Sequence, residues 1–216
     1  MLMNVSKEVR HLRSTHARFN RGAARYDAEA DVQRETAARL IEQLKGCEEP
    51  LRVLDAGCGS GILTRMLLER FPHSRVDAFD ISEAMLDTAR ATISAPCVRW
   101  LQSEFALYRP ALPYPLVVSN ASLHWAPSLT DAVENLANCL AAGGCLAISL
   151  MVEGTLRELR ESLARVAPAK GDVGPMPTLA ELRLIVDQLG LRRIADGEYA
   201  IQRRYPSAAA LLRGLH

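Results

Sequence analysis

A short apolar strand that runs into an acidic residue and three closely spaced glycines constrains this chain more than any other feature. It is the segment Leu-Arg-Val-Leu-Asp-Ala-Gly-Cys-Gly-Ser-Gly at residues 51–61. Val53 and Leu54 are typical of a buried parallel strand, and glycines at alternate positions let the backbone turn sharply without a Cβ between it and a ligand. Residues 62–70 predict a helix whose first amides face that ligand. The segment therefore predicts a cofactor loop between a strand and a helix.

The spacing of the glycines separates the kinds of nucleotide loop. A P-loop needs four residues between its glycines and a Gly-Lys-Ser/Thr ending, and the dinucleotide motif Gly-x-Gly-x-x-Gly needs its third glycine one residue later. The motif Asp-x-Gly-x-Gly-x-Gly, formed here by Asp55, Gly57, Gly59 and Gly61, resembles instead the loop of S-adenosylmethionine (SAM) methyltransferases. We therefore expect SAM as the cofactor and S-adenosylhomocysteine (SAH) as its product.

A second acidic residue supports this interpretation. Residues 75–80 predict another short strand, and it ends in Asp80, about 20 residues beyond the glycines, where doubly wound folds place the acid that accepts both ribose hydroxyls. Asp80 could instead cap the helix predicted over residues 82–92. Ser82, three residues before Met85, can provide that cap, which would leave the Asp80 carboxylate free. We therefore favour ribose binding.

Composition limits the class of protein. The 216 residues, 49% of them hydrophobic, can bury a full core, and the chain is short enough for a single domain. Lys plus Arg is 26 against 25 for Asp plus Glu, so the charge balance does not indicate nucleic acid or a membrane surface as the main partner. The N-terminus is polar and not signal-like, and no apolar run approaches about 18 residues. We expect a cytoplasmic monomer.

The five cysteines are scattered and odd in number, with no Cys-x-x-Cys motif. They favour neither a disulfide framework nor a zinc site, and no metal site is expected. Cys58 lies in the cofactor loop, but no histidine or other base is near it in sequence. A nucleophilic role for Cys58 is therefore disfavoured.

Strands and helices alternate along the chain, which predicts an α/β fold with a doubly wound, mostly parallel sheet. A helix over residues 29–45 precedes the first strand. The strands are predicted near residues 51–55, 75–79, 97–102, 115–120 and 144–151. The helices are predicted near residues 61–70, 82–92, 129–141 and 155–166.

Polar side chains follow four of these strands where each strand ends. They are Asp55, Asp80, Glu104 and Asn120, and the carboxyl ends of parallel strands meet at the ligand-binding edge of such a sheet. Asp55 could position the glycine loop or bind the amino group of the methionine moiety. Glu104 could accept from the adenine amino group while Phe105 stacks on its ring. The predicted cofactor-binding set is Asp55, Gly57, Gly59, Gly61, Asp80, Ile81, Met85, Glu104, Phe105 and Asn120.

The last third of the chain is less regular. A Gly/Pro-rich loop at residues 168–177 is a candidate lid, and Thr178 with Glu181 has the spacing of a capping box that opens a helix to about Leu189. Residues 191–205 predict a sixth strand, and Pro206-Ser207 opens a last helix. We expect one domain over residues 1–216, with an N-terminal helical segment over residues 1–46 and a lid-like insertion over about residues 152–190.

Several segments together resemble one family of methyltransferases. They are Arg-Phe-Asn-Arg-Gly-Ala-Ala-Arg-Tyr-Asp at residues 18–27 followed by Ala30 and Gln33, Val-Ser-Asn-Ala-Ser-Leu-His-Trp at residues 118–125 and Gly-Thr-Leu-Arg-Glu-Leu-Arg at residues 154–160, with the glycine loop and residues 80–90. The chain resembles the malonyl-acyl-carrier-protein O-methyltransferases of biotin synthesis from about residue 17 to residue 215. The resemblance implies a class I SAM-methyltransferase fold. It also implies methyl transfer to the free carboxylate of a malonyl thioester on acyl carrier protein, or on coenzyme A.

The resemblance also implies a set of acceptor residues. Tyr26 is expected over the methyl donor with its hydroxyl near the acceptor carboxylate, although it could be a core aromatic residue. Trp125 is expected beside the active site, and His124 stands where relatives commonly have Gln. Relatives usually carry an Arg-Phe pair where this chain has Gly-Pro-Met-Pro at residues 174–177. Arg21, Arg25 or Arg157 is the expected replacement for that arginine.

Two rival functions share part of this pattern. A carboxyl methyltransferase of a free small acid, of the trans-aconitate type, shares the Ser-Asn-x-x-x-x-Trp region. A catalytically silent SAM-binding partner subunit would be consistent with the absent Arg-Phe pair. Relatives also continue beyond the equivalent of residues 211–216 into a seventh, C-terminal strand, so we expect either a sheet of six strands or a short form of the chain.

Overall fold

The computed structural model describes residues 30–166 and 176–213, and a five-stranded parallel sheet organises this part of the chain. The strand order is β3-β2-β1-β4-β5. The elements in chain order are α1 (Asp31–Gln43), β1 (Arg52–Ala56), α2 (Ile62–Arg70), β2 (Arg75–Asp80), α3 (Glu83–Thr92), β3 (Val98–Gln102), β4 (Tyr114–Asn120), a short 3-10 helix (Leu123–Trp125), α4 (Leu129–Asn138), β5 (Leu140–Ser149), α5 (Arg157–Val166), α6 (Leu179–Gln188) and α7 (Ala208–Arg213). The predicted doubly wound α/β fold is confirmed.

The order of the strands determines where a ligand can bind. The chain runs outward from β1 through β2 to β3, and then returns to the other side of β1 to build β4 and β5. The direction of winding therefore reverses between β1 and β4. In doubly wound sheets, a crevice opens at the carboxyl ends of the strands at this switch point.

The central strands are buried because helices cover both faces of the sheet. Val53 and Val118 contact the core layer that α1 and α2 complete, whereas Leu54 and Val117 contact the layer that α4 completes. All four side chains are fully buried. Neighbouring residues of a strand point to opposite faces, so a strand covered on both faces is apolar at every position. This explains the continuous apolar run before Asp55.

Side-chain caps begin three of the helices where the sequence predicts a helix start. The Ser82 hydroxyl accepts from the Met85 amide at 3.3 Å, and the Ser128 hydroxyl accepts from the Asp131 amide at 3.2 Å. Thr178 and Glu181 form the predicted capping box. These local bonds satisfy amides that have no partner within the helix.

The fifth strand begins earlier than expected. β5 starts at Leu140 rather than near residue 144, because α4 ends at Asn138 and the chain enters the sheet at once. The register between β4 and β5 is irregular between Tyr114 and Leu116. A Cβ on Gly144 would lie 3.0 Å from the Tyr114 carbonyl oxygen, so glycine permits this close approach.

The prediction of a sixth strand over residues 191–205 is wrong. These residues have no regular secondary structure, and the described part of the sheet has five strands rather than six. Ion pairs attach this segment to helices instead: Asp196 pairs with Arg183 of α6 at 2.7 Å, and Arg203 pairs with Glu35 of α1 at 2.7 Å. A strand needs a neighbouring strand for its backbone groups, and the local sequence does not show whether one is available.

Within residues 30–166 and 176–213, no helix combines the length and the apolar character needed to cross a bilayer. The proposed lid loop at residues 168–177 lies almost entirely outside the described residues.

Candidate active site

A pocket of about 860 Å³, including its open mouth, lies at the carboxyl edge of the sheet. Its walls come from the loops that follow β1, β2, β3 and β4, together with the first turn of α1. The four strand-end residues expected to meet all line it. Nine of the ten predicted cofactor residues line the pocket: Asp55, Gly57, Gly59, Asp80, Ile81, Met85, Glu104, Phe105 and Asn120.

The glycine loop forms the floor of the pocket. Gly57 has a φ of +71°, and its amide donates to the Phe79 carbonyl oxygen at 2.8 Å. A Cβ on Gly57 would lie 2.7 Å from the Phe105 ring, whereas a Cβ on Gly59 would have no neighbour within 4 Å. The loop therefore joins a tight turn to an open surface that a ligand can approach.

Gly61 has a different place from the other two glycines. It precedes the first residue of α2 with a φ of +88°, and it is not among the residues that line the pocket. A Cβ there would lie 2.6 Å from Ile93 and 3.3 Å from Trp100. Gly61 thus allows α2 to begin close to the core.

Asp80 connects the second strand to the glycine loop. One carboxylate oxygen accepts from the Gly59 amide at 2.9 Å, and the other accepts from the Ser82 amide at 2.8 Å. Ser82 caps α3 as expected, but the prediction that this leaves the Asp80 carboxylate free is wrong. The backbone holds Asp80 in a fixed orientation at the pocket wall. Each carboxylate oxygen can accept more than one hydrogen bond, so ribose hydroxyls can still donate to it.

Asp55 is almost completely buried, with 1% of its surface exposed. Its Oδ2 accepts from the Thr64 hydroxyl at 2.6 Å, whereas its Oδ1 has no hydrogen-bond partner among the described residues. Burial, with a further contribution from the charge of Asp80, raises the pKa of Asp55 to about 7, against the opposing effect of the Thr64 hydrogen bond. An unpaired buried oxygen at the pocket wall is a suitable acceptor for the amino group of a ligand.

Cys58 does not have the properties of a nucleophile. It is 7% exposed, and burial raises the pKa of its thiol well above the usual value. A thiol acts as a nucleophile through its thiolate, which this environment disfavours.

An aromatic ring and a carboxylate, those of Phe105 and Glu104, form another part of the pocket wall. The Phe105 ring meets the Phe79 ring edge-on at 5.6 Å between centroids, and Phe79 stacks on Tyr108 at 4.7 Å. Burial raises the pKa of the neighbouring Glu104 carboxyl. An apolar ring beside a hydrogen-bond acceptor is suited to a flat heterocycle with an amino group.

Asn120 lines the pocket, but its carboxamide is also engaged within the protein. Its Nδ2 donates to the Gln33 carbonyl oxygen at 3.0 Å, and its Oδ1 accepts from the Ser149 hydroxyl at 2.9 Å. Asn120 thereby attaches the first turn of α1 and the end of β5 to β4. This arrangement brings Gln33 into the pocket wall. Gln33 was not predicted as a site residue, although it belongs to the N-terminal stretch that resembles the family.

Other lining residues were also missed, namely Ser60, Ile62, Leu63, Ser103, Ala121, Ser122, Ala126 and Pro127. Each lies within a few positions of a predicted residue on the same loop or helix turn. A prediction that took whole strand-end loops, rather than single polar residues, would have included most of them.

The predicted acceptor residues are divided between the pocket and its surroundings. Trp125 lines the pocket, while His124 lies behind it, with its ring centroid 5.1 Å from that of Trp125. The Nδ1 of His124 accepts from the Met151 amide at 3.5 Å, and burial lowers the pKa of the ring to about 4. Arg157 is exposed at the first residue of α5 and does not line the pocket. Tyr26, Arg21 and Arg25 lie outside the described residues.

Comparisons with known proteins agree with this geometry. A family of methyltransferase domains matches residues 54–146, which run from β1 into β5. Among solved structures, a chain from a Haloferax volcanii complex of a methyltransferase activator with a methyltransferase superposes with a TM-score of 0.70 at 23% identity. That match covers 90% of this chain and 84% of the other. At this identity it shows the fold alone.

Curated relatives are more specific. Malonyl-acyl-carrier-protein O-methyltransferase 1 of Ilyobacter polytropus is 31% identical over 198 residues, which are 91% of this chain and 74% of the relative. The enzyme of that family from Halorhodospira halophila is 40% identical over 154 residues, covering 68% of this chain and 51% of the relative. The parallel sheet, the glycine loop and these identities over most of the chain show that it belongs to the malonyl-acyl-carrier-protein O-methyltransferase family.

Proposed function

We propose that this chain transfers the methyl group of SAM to the free carboxylate of a malonyl thioester carried by acyl carrier protein, the methylation that the resemblance links to early biotin synthesis. The observation that carries the proposal is the 31% identity over 198 residues to a relative with that name. The pocket supports it independently, because its strand-end acids and glycine loop suit a nucleoside with a charged amino-acid tail.

The residues of the pocket fit SAM in three places. Asp80 can accept the ribose hydroxyls, and Glu104 with Phe105 can hold the adenine ring. The unpaired Oδ1 of Asp55 can accept from the amino group of the methionine moiety. When bound, SAM supplies a methyl group on a positively charged sulfur, which is open to attack by a nucleophile.

The acceptor explains why the proposed site needs no general base. A carboxylate with an ordinary pKa near 4 is already ionised at pH 7. The protein then has to align the two reactants and exclude water, which is catalysis by proximity and orientation. We assign Tyr26 to positioning the acceptor carboxylate, as the resemblance implies. Trp125 supplies an apolar wall, and the pKa of His124, lowered to about 4, keeps its ring neutral behind that wall.

Transfer of labelled methyl groups from SAM to a panel of acids tests the acceptor. We expect methylation of malonyl thioester on acyl carrier protein, weaker methylation of malonyl-CoA, and none of free malonate or free aconitate. Preferred methylation of a free acid would replace the proposal with the rival small-acid activity. Binding of SAH without transfer to any of the four would favour the silent partner subunit.

The segment over about residues 152–190 is proposed as a lid over the acceptor. Within its described part, Glu153 donates its amide to the Pro177 carbonyl oxygen at 2.9 Å, which holds the last residue of the 168–177 loop against the start of the segment. Limited proteolysis between them should slow when SAH and a malonyl thioester are both present. Unchanged cleavage would count against a lid.

A further inference from the structure

We infer that Asn135, on α4 behind the pocket, is a positioning residue that determines where the adenine wall lies. Its carboxamide holds the loop after β3 at several points, and that loop carries Phe105. The inference rests on the proposed assignment of Glu104 and Phe105 to the adenine end of the cofactor.

The contacts of Asn135 converge on one short loop. Its Nδ2 donates to the Phe105 carbonyl oxygen at 2.6 Å and to the Tyr108 carbonyl oxygen at 2.9 Å. Its Oδ1 accepts from Arg109 Nη1 at 2.5 Å, and the same nitrogen donates to the carbonyl oxygens of Ala106 at 2.9 Å and Tyr108 at 2.8 Å. Asn135 is only 8% exposed. A single carboxamide and a single guanidinium thus bind three carbonyl groups of the loop between β3 and β4.

The loop transmits this restraint to the pocket. With its carbonyl group held by Asn135, Phe105 directs its ring towards the glycine loop, where a Cβ on Gly57 would lie 2.7 Å from the ring. Tyr108, held by the same carboxamide, stacks on Phe79, which in turn contacts Phe105. The distance between the Phe105 wall and the glycine floor therefore depends on a side chain that does not line the pocket.

If Asn135 serves only the stability of the fold, its replacement should not change cofactor affinity in the folded protein. If it positions Phe105, its replacement should. Loss of buried hydrogen bonds lowers stability wherever it occurs. Loss of the bonds that place Phe105 should in addition weaken cofactor binding, while the rate at saturating SAM stays the same. Ser74 offers a control: it is fully buried, its hydroxyl donates to the Pro50 carbonyl oxygen, and it lies at the opposite edge of the sheet.

Calorimetric titration with SAH tests the inference without an acceptor. We expect Asn135→Leu and Phe105→Ala each to weaken SAH binding about tenfold, and the double variant to lose no more than the larger single effect. Ser74→Ala should lower the melting temperature and leave the SAH affinity unchanged. Arg109→Met, at an exposed residue, should weaken SAH binding about threefold and serves as the second variant if Asn135→Leu does not fold.

The outcomes separate the inference from the function on which it rests. If Phe105→Ala weakens SAH binding but Asn135→Leu or Arg109→Met does not, Asn135 serves only stability and the proposed site stands. Additive losses in the double variant would show that Asn135 acts elsewhere than through Phe105. If Phe105→Ala itself binds SAH normally, the adenine assignment is wrong and the inference falls with it.

Discussion

Asp55 and Asp80 both lie at the carboxyl ends of buried strands, yet their surroundings give them different chemistry. Asp80 accepts hydrogen bonds from two backbone amides, whereas Asp55 has one buried oxygen without a hydrogen-bond partner among the described residues. A cation beside the unpartnered oxygen of Asp55 would favour the ionised carboxylate, which burial disfavours. The two acids therefore suit different parts of a ligand, neutral hydroxyl groups in one case and a cation in the other.

Replacing Asp80 tests its role in binding ribose. Asp80→Asn should weaken SAH binding by about tenfold or more, because it loses charge-assisted hydrogen bonds and turns an amide group towards the Gly59 amide. Asp87→Asn, in the exposed pair with Arg90 on α3, is the matched control and should bind normally. Calorimetric titration measures both. Unchanged affinity in Asp80→Asn would remove Asp80 from the site.

The raised pKa of Asp55 predicts that binding depends on pH. An amino group bound beside Asp55 favours the ionised carboxylate, so binding should release a proton below the free-protein pKa of about 7. SAH affinity should rise with pH up to about pH 7, by at most tenfold per pH unit, and then level off. Calorimetry in buffers of different ionisation enthalpy measures the proton release. Asp55→Asn should abolish it, and wild-type binding without proton release would contradict the assignment.

Tyr26 can be tested although it lies outside the described residues. We expect Tyr26→Phe to lower the rate at saturating SAM and to leave SAH affinity nearly unchanged, because the hydroxyl positions the acceptor without transferring a proton. In the wild type that rate should be flat between about pH 6 and pH 9, since the acceptor carboxylate titrates well below this range. A bell-shaped profile at saturating SAM would indicate a general base.

Among the elements, β2 has a polar connection that the sequence did not indicate. Asp77 accepts from Arg99 of β3 at 2.9 and 3.1 Å, from Arg52 of β1 at 3.1 Å, and from the Tyr114 hydroxyl of β4. Burial alone would raise the pKa of Asp77, but the hydrogen bonds from Arg99, Tyr114 and Arg52 lower it below its usual value. One carboxylate thus connects four strands away from the pocket.

Removing this charge should weaken the sheet without affecting the pocket. We expect Asp77→Asn to lower the free energy of unfolding by about 1–3 kcal/mol at pH 7. Because the folded-state pKa is lowered, the stabilisation is complete above the unfolded pKa near 4 and is lost as pH falls through the folded value. Urea unfolding at pH 7, at pH 5 and at a series of lower pH values down to about 2 measures this difference. SAH affinity should be unchanged, and a difference that persisted at low pH would contradict the assigned pKa.

At the scale of the whole molecule, the net charge of +1 does not exclude a local basic surface that could bind an acyl carrier protein. Acyl carrier proteins are acidic, so a surface that binds one should be basic. Arg157 and Arg160 lie on α5, which begins eight residues after the end of β5 at the pocket edge of the sheet. Three arginines of the N-terminal segment, Arg18, Arg21 and Arg25, lie outside the described residues.

Salt dependence tests recognition of the carrier. We expect a higher specificity constant for malonyl carrier protein than for malonyl-CoA at low salt, and a smaller difference at high salt, because the Debye length is about 8 Å at 0.15 M. Arg157→Glu should reduce the rate with the carrier severalfold. Arg75→Glu, exposed at the opposite edge of the sheet, is the matched control. Equal effects of both variants would show that the α5 surface is not recognised.

The sequence by itself determined those features of this protein that depend only on residues close together in the chain. Three features depend only on residues a few positions apart, so they can be predicted without the fold. They are the apolar run before Asp55, the spacing of Gly57 and Gly59, and the Ser82 cap. Parallel winding then brings the strand ends to one edge, which is why nine of ten predicted cofactor residues line one pocket.

The tertiary structure alone determined the partners that come from distant parts of the chain. Two sets of hydrogen bonds could not be predicted from local sequence patterns. They are the bond between Asn135 and Phe105 and the bonds of Asp77 across four strands, whose partners are 22 or more residues apart in sequence. Residues 191–205 were predicted as a strand, yet the described part of the sheet provides no pairing for them. Hydrogen bonding between strands, burial and the pKa of a side chain depend on neighbours in space, and only folding brings those neighbours together.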